Sequence, residues 1–195
     1  IVRKKKKIIC IIPARGGSKG LKNKNILKLN GHPLIAYPIS AAIKSNVCDA
    51  VFVSTDSKEI AKISKRYGAS VPFLRLKKFA KDLTTTEDTL KNSLLSYEKY
   101  YNIRFDICLY LTATDVFRKP RWIKKAVNKL INNDDIQSCF SVSPTHKNYW
   151  YIKNNVPKRI LKSMKVYSSR QQKKPIYRED TGLVCASRAN LWRKG

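Results

Sequence analysis

Apolar positions in this chain fall alternately into short unbroken runs and helical stripes. Residues 8–12 (IICII) form an apolar run of strand length. Between charged flanks, such a run reads as a strand buried on both faces. Residues 33–45 (PLIAYPISAAIKS) carry apolar side chains at helical spacing, with Pro38 as a kink point. A second strand is predicted at 50–54 (AVFVS), after which Ser57 is placed to cap an amphipathic helix over 58–67 that Gly68 closes. The pattern then predicts a short strand at 71–74, a helix from 87 to about 101 capped by Thr86, and a central strand at 105–111 (FDICLYL). A helix over 121–131 behind Pro120 and a strand at 137–142 complete the series.

Strands separated by helices of this length need crossover connections, which imply a mainly parallel sheet with helices on both faces. The expected class is α/β, a three-layer α/β/α Rossmann-like arrangement. Ligands of such sheets sit beyond the carboxyl ends of the strands. The loops at 15–24, 55–56 and 112–118 all fall there. After Ser143 the pattern weakens into turn-rich segments, and 182–186 reads as one last apolar strand. We therefore read one domain over 1–195, with 144–182 an excursion that covers the site or makes a subunit contact.

The first of these loops carries the chemistry. The stretch IIPARGGSKGLKNKNI at 11–26 mixes Gly16, Gly17 and Gly20 with Arg15, Lys19, Lys22 and Lys24. Glycines let the backbone approach a ligand with its N–H groups, and the cations suit a polyphosphate. The loop matches neither common glycine-rich signature. Lys19 precedes Gly20, whereas a Walker loop needs Gly-Lys followed by Ser or Thr, and no GxGxxG opens into a helix. The alternative is a plain cationic surface loop.

Charge changes the picture less than its size suggests. The net charge of +28, from 41 basic against 13 acidic residues, points first to nucleic acid or an anionic membrane. The lysines, however, are spread along the whole chain and are not gathered with aromatics into a single-strand binding platform. This distribution argues against a dedicated nucleic-acid function and reads as a background field for anionic substrates.

The five cysteines are odd in number, widely spaced and without a CxxC pair, which fits neither a zinc site nor a disulfide framework. Buried free thiols in a reducing compartment are expected. No apolar run approaches the roughly 18 to 20 residues needed to span a bilayer, so the expected location is cytoplasmic. The first residue is Ile, which reads as a fragment.

The blocks IIPARGGSKGLKNKNI, NGHPLIAYPISAAIKS, VFVSTDSKEIAKISKRYGASVPFLR and SRQQKKPIYRE, in this order, resemble the cytidylyltransferases that activate sialic acid and related nonulosonic acids as CMP-sugars. The resemblance implies the nucleotide-diphospho-sugar transferase variant of the fold, with CTP and a nonulosonic acid as substrates and Mg2+ as cofactor. It also implies a homodimer. Carried over by position, Arg15, Gly16, Gly17, Ser18, Lys19, Lys24 and Asn25 hold the triphosphate, with Arg15 and Lys24 catalytic. Arg75, Asp82 and Thr85, or the neighbouring Thr84 and Thr86, read the cytosine. Arg170, Gln171, Gln172, Tyr177 and Arg178 bind the sugar acid, with His146, Tyr149 and Trp150 as further lining candidates. Related 3-deoxy-octulosonate cytidylyltransferases share the fold. A non-catalytic nucleotide- or RNA-binding protein is the other class.

Three departures from the family pattern carry expectations of their own. LTATDVFR replaces QPTSPLR, so Asp115 is a candidate Mg2+ ligand, the alternative being a carboxylate at a helix start paired with Arg118. YREDTG replaces a short neutral turn, placing Glu179 and Asp180 where they would repel a substrate carboxylate unless otherwise occupied. The family's Asp-x-Asp segment and final helix would follow Gly195, so truncation of the family domain is expected.

Overall fold

In the first strand, alternate side chains enter different cores, and this alternation sets the layering of the molecule. The computed structural model describes residues 5–17, 20–80, 84–161 and 169–195. Strand β1 (Ile8–Pro13) sends Ile8, Cys10 and Ile12 into one apolar cluster, and Ile9 and Ile11 into another. A ribbon of β2 (Lys28–Leu29) and β3 (His32–Pro33) follows, turned by Asn30 and Gly31, both at positive φ. The Asn-Gly pair is a strong hairpin signal that the periodicity reading passed over. Helix α1 (Ala36–Ser45) comes next. Pro38 lies in its first turn, where a missing N–H leaves no bond unmade, so the anticipated kink is not needed.

Strand β4 (Ala50–Ser54) leads through Ser57 into α2 (Lys58–Arg66), and the Ser57 hydroxyl accepts the Ile60 N–H as the cap reading requires. No strand forms at 71–74. Ser70 makes a single parallel bridge to Phe52, and the chain next bonds this edge just past the end of β4, where Arg75 N–H donates to Thr55 O at 2.7 Å. Pro72 has no N–H to continue the ladder between them. Helix α3 (Thr86–Tyr101) is capped by Thr85, one residue before the expected Thr86. Strand β5 (Ile107–Tyr110), α4 (Pro120–Asn132) and β6 (Ser138–Phe140) follow as anticipated in kind, with shorter strands.

Residues up to Ser141 together with Thr181–Gly195 form one compact unit. Its sheet order is β4-β1-β5-β11-β6, where β11 (Cys185–Arg188) leads into α5 (Ala189–Lys194). Strands β4, β1 and β5 are parallel, while β11 runs antiparallel to both of its neighbours. The last strand is thus inserted between β5 and β6 and lies at 185–188, later than the anticipated 182–186. Residues of α1, α2 and α4 cover one face of the sheet and those of α3 and α5 the other, giving three layers.

Val142–Asp180 form a second unit. It contains the antiparallel pair β7 (Val142–Thr145) with β10 (Ile176–Glu179), and the hairpin β8 (Trp150–Lys153) with β9 (Val156–Arg159). Among the described residues no helix is long and apolar enough to cross a membrane.

Candidate active site

Three parallel strands end side by side at Pro13, Ser54 and Tyr110, so the loops that leave them meet at one edge of the sheet. There they enclose a cavity of about 320 Å3 lined by Arg15, Lys24, Asn25, Arg75, Thr112 and Thr114, with Pro13, Gly20 and Ala113 completing the wall. The chain reaches Lys24 through Asn23 in the left-handed region (φ 55°), which opens a 3-10 turn over Lys24–Ile26. Asn tolerates that backbone because its short polar side chain bonds locally.

The loop is held from behind. Gly16 N–H donates to Asp56 Oδ1 at 2.9 Å, and a Cβ on Gly16 would come within 3.1 Å of Ser57. The Gly16 amide is therefore committed to the protein, which corrects its assignment as a donor to phosphate. Asn25 is buried, and its Nδ2 donates to Arg15 O at 3.0 Å. It ties the two sides of the loop together from within the cavity wall. Gly17 is open, with no atom near the place of a Cβ.

Arg75 supplies the least expected electrostatics. Its side chain is only 7% exposed, and its Nε has no partner among the described residues. Burial lowers its pKa, the Asp56 carboxylate opposes that shift, and the Arg15 guanidinium adds to it. A buried cation that lacks a bond and faces a second cation gains from an arriving anion on both counts.

On the opposite wall the 112–118 loop is fastened to the start of the returning strand. Arg118 Nη2 donates to Thr112 O at 3.0 Å and to Gly182 O at 2.8 Å, and its Nε donates to Leu183 O. Burial brings its pKa down to about 10, with nearby Cys10, Asp115 and Tyr110 opposing the shift. The Thr112 hydroxyl donates to Asp115 Oδ2 and also approaches Gly182 O at 3.1 Å. Asp115 thus braces the wall through Thr112. Among the described residues no group of three His, Cys, Asp or Glu converges as a metal cage. Mg2+ is commonly held by one or two carboxylates plus substrate phosphates, and the carboxylate nearest this wall, Asp115, already accepts the Thr112 hydroxyl.

The remaining sequence-predicted residues fall in three places. Ser18, Lys19 and Asp82 lie outside the described residues. The Thr85 hydroxyl accepts Asp88 N–H at 3.0 Å and donates to Asp88 Oδ2 at 2.8 Å, so it serves as a helix cap and not as a free base-reading group. Arg170, Gln171, Gln172, Tyr177 and Arg178 belong to the second unit, where all five are exposed. There Arg178 pairs with Asp180 at 3.1 Å, and Ser143 also donates to that carboxylate. The acid anticipated to repel a substrate is therefore neutralised within its own unit, at the expense of part of the Arg178 fork. Sequence reasoning named Arg118 only as a partner for Asp115 and gave Gly182 no role. Both act through contacts more than 60 residues away in the chain.

A mainly parallel α/β sheet with a glycine-rich cationic loop over a small basic cavity defines a protein built to hold a phosphorylated nucleotide at its strand ends. The cytidylyltransferase family matches residues 9–192, so this chain belongs to the cytidylyltransferases, a family of nucleotidyltransferases. It is 37% identical over 187 residues to the CMP-N,N'-diacetyllegionaminic acid synthase of Legionella pneumophila, covering 93% of this chain and 78% of that protein. It is 32% identical to a pseudaminic acid cytidylyltransferase of Campylobacter jejuni, over 95% and 80% of the two chains. Among solved structures, the CMP:2-keto-3-deoxy-manno-octonic acid synthetase complexed with CTP superposes with a TM-score of 0.71 at 17% identity. That match spans 96% of this chain and 76% of the other, and shows the shared fold.

Proposed function

We propose that this chain transfers CMP from CTP to the anomeric hydroxyl of a sialic-acid-like nonulosonic acid. The hydroxyl oxygen bonds to the α-phosphorus and loses its proton, while the bond from that phosphorus to the β-phosphate oxygen breaks and pyrophosphate leaves. The observation that carries the reading is the convergence of Arg15, Lys24 and Arg75 on one cavity at the strand ends. The names of the legionaminic and pseudaminic acid relatives support the sugar class.

Phosphoryl chemistry of this kind asks a protein for positioning and positive charge, with little covalent work. In this proposal Lys24 offsets charge developing at the α-phosphorus, and Arg15, Gly17, Ser18 and Lys19 hold the outer phosphates. Arg75 faces the nucleotide from the cavity wall. Asn25 and Asp56 keep the loop in place. Arg170, Gln171, Gln172, Tyr177 and Arg178 take the sugar acid, whose carboxylate suits an arginine fork. Mg2+, held by phosphate oxygens with Asp115 nearby, would neutralise the triphosphate, and the chain would work as a homodimer.

Pyrophosphate release from CTP, measured with a panel of nonulosonic acids and 3-deoxy-octulosonate, tests the proposal. We expect turnover with at least one nonulosonic acid, falling on the order of 10^2- to 10^3-fold in Lys24→Ala. Turnover with the octulosonate alone, or turnover indifferent to Lys24, would overturn it.

A further inference from the structure

A second cavity lies at the other end of the sheet. It has a volume of about 720 Å3 and is lined by residues from three places: 5–7 just ahead of β1, 102–106 just ahead of β5, and Arg188, Asn190 and Arg193 where β11 passes into α5. Lys7 stands on its wall, whereas Pro13 stands on the wall of the strand-end cavity. The six residue-to-residue steps from Lys7 to Pro13 span roughly 20 Å of extended strand, so no ligand of nucleotide size touches both.

The charge on this cavity is uneven in a way that points to a ligand. Six cations line it, Lys5, Lys6, Lys7, Arg104, Arg188 and Arg193, against two carboxylates, Asp106 and Asp134. Both carboxylates already have partners. Asp106 accepts Lys7 N–H at 2.7 Å, and Asp134 lies 3.4 Å from Arg188. The two arginines nearest the core hold the fold. Arg188 donates to the carbonyls of Leu130, Ile136 and Asn133, and Arg193 donates to Glu98 and to Phe105 O. They form a fixed floor whose charge Asp134 and Glu98 largely offset, which leaves the uncompensated charge to the lysines and Arg104. The ammonium groups of Lys6 and Lys7 have no hydrogen-bond acceptor among the described residues, and the exposed Arg104 stands on the same rim.

A concave wall of fixed guanidiniums, flexible ammoniums and the amides of Asn102, Gln137 and Asn190 suits a compact anion of several charges with many acceptor oxygens. The only aromatic in the lining, Phe105, is buried, so no ring is presented for a nucleic-acid base to stack upon. We propose that this cavity is a second anion site, separate from the CTP site, that binds a polyphosphate chain through Lys6, Lys7 and Arg104. The site does not depend on the cytidylyltransferase reading, because it shares no residue with the strand-end cavity.

Calorimetric titration with inorganic tripolyphosphate tests it, using the whole chain, Lys7→Glu/Arg104→Glu, its neutral counterpart Lys7→Gln/Arg104→Gln, and Lys24→Ala. We expect two bound tripolyphosphates per chain. The charge reversal should weaken one of them by about tenfold per residue with the other unchanged, and the neutral pair should weaken it less. Lys24→Ala should affect only the other one. Repeating the titration with ATP separates the sources of the ligand: equal affinity at the second site identifies the phosphate chain alone, and tighter ATP binding identifies a nucleotide. A single bound anion in the unmodified chain, or two whose affinities ignore the reversal at Lys7 and Arg104, would overturn the proposal. Failure of the second site with CTP binding intact leaves the proposed reaction standing.

Discussion

Adding one methyl group at Gly182 should strain the candidate site without adding or removing any charge. A Cβ built there lies 2.8 Å from Thr112 Cγ2, 2.9 Å from Asp115 Oδ2 and 3.1 Å from Thr112 Oγ1. Carbon atoms at rest sit about 3.5 to 4.0 Å apart, so Thr112 must retreat by roughly 0.7 Å or more. It is poorly free to do so. Its N–H donates to Gly182 O at 2.9 Å, its hydroxyl is held by Asp115, and its carbonyl accepts Arg118 at 3.0 Å. Overpacking of a well-fitted site costs about 1–3 kcal/mol, which is the loss we expect for Gly182→Ala in urea denaturation. Thr112 also lines the strand-end cavity, so CTP binding should weaken in the same variant. Thr112→Ser removes the atom at 2.8 Å, so in the Gly182→Ala background it should recover part of the stability. A double-mutant cycle reads that coupling directly. An unchanged urea midpoint in Gly182→Ala, or no coupling with Thr112→Ser, would refute the reasoning.

Three further outcomes follow from the same geometry. Asp56→Ala removes the acceptor of Gly16 N–H and the carboxylate that favours charged Arg75, and should cost about 1–3 kcal/mol in chemical denaturation. Asp56→Asn keeps an acceptor and should cost less, so equal losses would show that the hydrogen bond is not what matters. For Glu98, burial alone would raise the pKa, but hydrogen bonds from Arg193 and Phe105 N–H bring it below the ordinary 4.5. Its contribution to stability is therefore complete above that value and lost as pH falls through the lower folded one. Arg193→Met should flatten this acid limb in unfolding curves taken from pH 6 to pH 3, and an unchanged slope would contradict it. The hydrogen bond from Cys10 lowers the Cys48 thiol pKa, while burial raises those of Cys10 and Cys108. Mass mapping after brief alkylation at pH 8 should find Cys48 modified before either of the other two, and the reverse order would count against that pairing.

Much of the framework follows from local pattern alone. The runs at 8–12 and 50–54 become strands because an apolar stretch of that length must be buried on both sides. The cap at Ser57 begins its helix because a side-chain oxygen satisfies an otherwise free N–H, and the same rule placed the start of the helix at Thr85 to within one residue. The glycine-rich loop with Arg15 and Lys24 stands out by composition and position, and the structure brings both residues to one cavity at the strand ends. What the tertiary structure alone decides is partnership across long chain separations. An apolar run carries the same signal whether it pairs parallel or antiparallel, so nothing in Cys185–Arg188 foretells that β11 enters the sheet reversed between β5 and β6. That insertion brings Gly182 and Leu183 to Arg118. Likewise the bond from Gly16 to Asp56, the burial of Arg75 and the gathering of Lys7, Arg104 and Arg188 at the far edge all depend on which strands lie side by side. A one-dimensional pattern records the solvent exposure of each segment, whereas these contacts arise from the register and direction in which segments meet.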